Sequence, residues 1–105
     1  MILATTDALP GRDVAQVLGL VRGSTVRAAP ATQDVQAWFK NVVGGEIGEY
    51  TKLLAEAREQ ALDRMTAEAR ARGADAVLGL RFASSEIADG AAEILAYGTA
   101  VKLKP

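Results

Sequence analysis

Apolar positions along this chain recur with two distinct periods. Tyr50, Leu53, Leu54, Ala57, Ala61, Met65 and Ala69 follow one another at steps of three and four, which lays a single stripe along a helix. The spacing predicts a helix from Glu46 or Glu49 to Arg72, stopped by Gly73. Lys52 with Glu56, Arg64 with Glu68, and Glu68 with Arg72 stand four apart, the spacing of surface ion pairs on a helix. Elsewhere the pattern is that of strands. Residues Ile2 to Thr6 predict a short one, with "LPGRD" as the turn residues after it. The run "VAQVLGLVRGSTVRA", Val14 to Ala28, predicts a long strand bent or bulged at a glycine and ended by Pro30. "ADAVLGLRFASS" and "AAEILAYGTAVKL" predict two more strands, joined through "EIADG" with Asp89-Gly90 as the turn signal. Between the long strand and the long helix, Asp34 is a plausible cap for a short helix, "DVQAWFKNVV", that places Trp38, Phe39 and Val42 at helical spacing. The order is β-β-α-α-β-β, a single α+β domain over residues 1–105 with a mostly antiparallel sheet packed with one long and one short helix.

The faces of the strands carry a second message. In the last strand Leu95, Tyr97, Val101 and Leu103 share one side, and Ile94, Ala96, Gly98 and Ala100 the other. Strict alternation in the second strand puts Leu18 and Leu20 on one side and Val17, Gly19 and Val21 on the other. A sheet covered on one face only should alternate apolar with polar. Here both faces are apolar, while one long helix can cover only one of them. The short helix with Trp38 and Phe39 could cover the second face, or neighbouring subunits could. We favour neighbours, because the long helix, at roughly 35 Å, and the last strand, at roughly 40 Å, span the whole of a compact domain, whose diameter would be about 34 Å.

Composition narrows the chemistry. The chain has 105 residues, no cysteine, no histidine and a net charge of -1. Disulfides, thiolate nucleophiles, imidazole metal ligands and the Ser-His-Asp triad are thereby removed. Thr5, Thr6, Ser24, Ser84 and Ser85 thus have no histidine to activate them, and Lys40 and Lys52 read as solvated surface lysines. The charges form no basic stripe interleaved with aromatics, so nucleic acid is not an expected partner. No segment has the apolar length of a membrane span, and "MILATTD" lacks the pattern of a secretory signal, which leaves a cytoplasmic location as the expectation.

Four segments carry a resemblance. "ATTDALPGRDVAQVLGLVRG", "NVVGGEIGEYTKLLAEAREQALDRM", "ARGADAVLGLRF" and "EILAYGTAVKL" together resemble the YbjQ family, collinearly and over nearly the whole chain. The resemblance implies a YbjQ-like, dodecin-like β/α subunit of a ring oligomer, pentameric and sometimes stacked as a decamer. The family is labelled heavy-metal-binding without an established biochemical role. Soft metals prefer thiolate, thioether and imidazole, and this chain offers only Met1 and Met65. Any metal here must therefore be a hard divalent cation held by carboxylates and carbonyls.

The candidate site follows the three glycines of "NVVGGEIGEY". Glu46 and Glu49 stand three apart at the start of the long helix, where they could ligate a hard cation together or simply favour the positive end of the helix dipole. Gly44, Gly45 and Gly48 could present backbone N–H groups to an anion, or form the turn between two helices, with Tyr50 just beyond. Tyr97 reads as a core or interface aromatic, Arg81 as one half of an inter-subunit ion pair, and Asp75 as the start of a strand. The expected protein is a homo-oligomeric binding or structural module, whose small ligand or metal ion, if it takes one, lies between subunits. The competing class is an enzyme with an inter-subunit carboxylate site at Glu46 and Glu49.

Overall fold

The computed structural model describes residues 1–28, 48–88 and 90–105, the side chains of 48–50 excepted. Strand β1 is Ile2–Leu3, β2 is Val14–Ala28, helix α1 is Gly48–Ala71, β3 is Ala76–Ala88 and β4 is Ala91–Leu103. The four strands form one sheet in the order β1-β3-β4-β2. Strand β1 runs parallel to β3, and the other two pairings are antiparallel. The α+β class and the mostly antiparallel sheet are therefore as the sequence predicts. The short helix expected over "DVQAWFKNVV", with Trp38 and Phe39, lies outside the described residues.

Helix α1 lies along β2 and β4 through small side chains. Ala57, Ala61, Met65 and Ala69 are completely buried, one per turn, against Val21, Val77, Ile94, Ala96 and Ala100. This is the stripe read from the sequence. Its partner on β2 is Gly23, where an added Cβ would come within 2.7 Å of Arg64 Cβ and would also strike the backbone of Ala61 and Met65. Only glycine allows so close an approach of helix to strand. Beside it, the buried Thr25 Oγ1 donates to the Ala57 carbonyl at 2.8 Å, tying the strand to the helix backbone. The helix ends with Gly73 at φ +77, as expected of a C-terminal stop.

Two irregularities set which residues face where. In β2 the pairing with β4 shifts between Val17 and Gly19, and Gly19 has φ +105. This is the bulge anticipated at a glycine. An inserted residue inverts the alternation beyond it, so the face assignment from strict alternation is corrected. Val17 (opposite Val101) and Leu20 (opposite Thr99) share the face away from the helix, while Leu18 packs with Val21 in the helix-side core. In β3 the register shifts between Leu78 and Arg81, so that Leu80 enters the same core. The hairpin closes where expected, Ala88 pairing with Ala91 and Gly90 at φ +74, but β3 runs on through Glu86 and Ile87, further than the sequence predicted.

Beyond β1 the N-terminal segment folds back on the sheet. The Ala4 N–H donates to the Val77 carbonyl (2.9 Å), and the Gly79 and Leu80 N–H groups return bonds to the Thr6 and Ala4 carbonyls (2.9 and 3.0 Å). Ala4 and Leu9 thereby pack over Ala76, Leu78, Val101 and Leu103 on the face opposite the helix. The turn after β1 is closed by Arg12 N–H to the Leu9 carbonyl at 3.0 Å. At this end of the sheet both faces of β3 and β4 are covered by the chain itself.

Candidate functional site: the open face of the sheet

Past the reach of the N-terminal segment the face away from the helix is open among the described residues. Its rows read across β2, β4 and β3 as Leu20–Thr99–Leu78, Arg22–Tyr97–Arg81, Ser24–Leu95–Ala83 and Val26–Glu93–Ser85. Val17 is 64% exposed, Leu20 56% and Val26 51%, large values for apolar side chains on the broad face of a sheet. Where this face meets the N-terminal segment there is a recess of about 330 Å³ lined by Asp7, Val14, Val17, Leu78, Gly79, Thr99 and Val101. That volume is at the lower end of small-molecule pockets.

The charged row next to the recess is held by the fold. Arg81 Nη1 donates to the Thr5 carbonyl at 2.8 Å and to the Leu80 carbonyl at 2.9 Å. The guanidinium expected in an inter-subunit ion pair is thus oriented by backbone of its own chain. Among the described residues neither Arg22 nor Arg81 lies within salt-bridge distance of a carboxylate; the ion pair present is Arg72–Glu68 at 2.9 Å. Of the three helix pairs suggested by spacing, that one forms. Arg64 instead donates to the Ser24 carbonyl, and Arg72 also reaches the Leu20 carbonyl at 2.9 Å. Both helix arginines therefore cap the outer edge of β2. Asp75 Oδ2 accepts from the Leu103 N–H at 2.8 Å, fixing the start of β3 to the end of β4.

Gly44, Gly45 and Glu46 lie outside the described residues, and Gly48, Glu49 and Tyr50 form the first turn of α1 with their side chains outside them. The open face was only half visible in the sequence. Its apolar character was read there, but the Arg22–Tyr97–Arg81 row could have been found only from the register of three strands.

A helix packed on one face of a mostly antiparallel four-stranded sheet defines a small α+β fold. The chain belongs to the YbjQ family: the family model, described as "Putative heavy-metal-binding", matches residues 1–104. It is 54% identical over 104 residues to a UPF0145 protein of Archaeoglobus fulgidus, covering 99% of this chain and 96% of that protein. It is 55% identical over 105 residues to a UPF0145 protein of Methanoculleus marisnigri, covering 100% and 98%. The fold is similar to the crystal structure of a protein of unknown function from Pediococcus pentosaceus that belongs to the DUF74 family (TM-score 0.62, 16% identity, 99% and 98% of the two chains).

The family description raises the question of a metal. Met65 is completely buried between helix and sheet, and Met1 stands at the chain start. With no cysteine or histidine in the sequence, the donors do not fit a soft heavy-metal centre. Among the described residues no three acidic side chains converge as a cation site, and no helix is long and apolar enough to cross a membrane.

Proposed function

We propose that the chain is one subunit of a homo-oligomeric, ring-shaped binding module, a pentamer, acting in the cytoplasm and holding a small ligand between subunits. The observation that carries this reading is the exposure of Val17, Leu20 and Val26 on one face of β2. Completing the burial of each contributes about 1 kcal/mol, and a ring repeats that gain at every interface. A second support is the shape of the described residues, whose radius of gyration is 17.3 Å against ~13 Å for a compact domain of this length. The edges of the sheet are also unequal. Arginines cap the β2 edge, whereas β3 from Arg81 to Ala88 is exposed throughout, and an uncapped edge invites another copy. Native mass spectrometry of protein purified without added metal tests the reading, since it counts subunits and detects a retained ligand together. A mass of five chains is expected. A monomer at micromolar concentration would remove the proposal.

A further inference from the structure

The recess and the charged row lie on the same face, one strand row apart. The recess wall runs along β4 from Val101 to Thr99, and Tyr97 follows on the same side of that strand. From the Val101 row to the Tyr97 row is roughly 13 Å. Arg22 and Arg81 flank Tyr97 from the two neighbouring strands, their backbones about 10 Å apart. Two guanidinium groups without a carboxylate partner among the described residues, beside Leu20, Leu78 and Leu95 on the same face, raise the local potential for an anion. Asp7, which also lines the recess, stands beside Gly79 on β3.

From this juxtaposition we infer that the recess and the Arg22–Tyr97–Arg81 row form one site for a small amphipathic anion, an alkyl chain of medium length ending in a carboxylate. The chain lies against Val14, Val17, Leu78 and Val101, and the carboxylate reaches the two guanidinium groups across the Tyr97 ring. Arg81 is anchored for that role: its Nη1 donates to the Thr5 and Leu80 carbonyls, and its Nε and Nη2 make no hydrogen bond among the described residues. Arginine suits it because its planar fork matches a carboxylate in two-point contact. The inference rests on the proposed assembly in one respect, that a neighbouring copy closes over the bound chain.

Isothermal titration of the full-length protein with octanoate, 1-octanol and octylamine tests it, with native mass spectrometry of the same samples. Octanoate is expected to bind, 1-octanol at least about tenfold more weakly, and octylamine not at all, since a charge-assisted hydrogen bond is worth that factor or more. Arg22→Gln is expected to weaken octanoate about tenfold and to leave 1-octanol unchanged, and Arg22→Lys to recover part of the loss. Arg22 makes no hydrogen bond among the described residues, so both variants should retain the parent's thermal unfolding. Equal affinity for octanoate and octanol, or an Arg22→Gln protein that binds octanoate as the parent does, overturns the site. So does an oligomer that takes up no octanoate, an outcome that leaves the assembly standing. If octanoate is ignored and Arg22→Gln lowers the oligomer mass, the row belongs to a protein–protein contact instead. A monomer that shows the full octanoate pattern removes the assembly but sustains the site.

Discussion

The two ends of this sheet are built from similar residues and end in opposite circumstances. At the base, Ala76, Val77, Leu78, Ala100, Val101 and Leu103 lie between α1 on one side and the N-terminal segment on the other, each no more than 8% exposed. Along the arm, from Val17 to Val26 and from Arg81 to Ala88, the helix covers one face of β2 and β4 and the other face stays open among the described residues. Phe82 and Ile87, 42% and 56% exposed, stand on that arm. Apolar patterning on both sides of a strand is thus a statement about total cover and not about its source. At the base the source is the same chain; along the arm, the proposed source is another copy.

The comparison can be broken first on the face that the helix covers. Met65→Ala opens a cavity in the completely buried helix–sheet core and is expected to cost about 3 kcal/mol, read from the urea midpoint at unchanged slope. A cost near zero would mean that the core is looser than its burial indicates. Next is Gly23→Ala, where the new methyl meets the helix backbone and the helix must lift off β2; about 2 kcal/mol is expected, by the same measurement. Thr25→Val removes one buried hydrogen bond to Ala57 while keeping the volume, for about 1 kcal/mol.

The open face of the arm should respond in the reverse manner. Leu20→Asp places a charge on an exposed position and is expected to change the unfolding free energy of the isolated chain by less than about 0.5 kcal/mol. In size-exclusion chromatography with light scattering it should nevertheless lower the assembled mass. If Leu20→Asp instead unfolds the chain as Met65→Ala does, the arm is sealed from within and the contrast between the two regions is lost.

What could be read from the sequence follows the same division. The helix stripe, its glycine stop and the turn at Gly90 were legible because each rests on local periodicity or a local backbone demand. The faces of β2 were not. Val17 and Leu18 are both apolar, so no polar residue marked which one points outward, and the bulge at Gly19 decided it. The cover over the base was also hidden, since Ala4 and Leu9 sit in a segment that reads locally as a strand end and a turn. Its docking depends on a bulge in β3 more than seventy residues away. The backbone partner of Arg81 was hidden for a related reason: the Thr5 carbonyl, which accepts its hydrogen bond, is brought near only by the fold.

The chain contains no cysteine, so one introduced thiol can be followed alone, and this permits the most direct test. Val17→Cys on the open face and Glu59→Cys on the exposed side of α1 are labelled with a maleimide at micromolar protein concentration. If another copy covers the arm, Val17→Cys should react at least about tenfold more slowly than Glu59→Cys, and the gap should close on dilution as the assembly dissociates. Equal rates at every concentration would contradict the account, because the open face would then be as bare in solution as it is in the single chain.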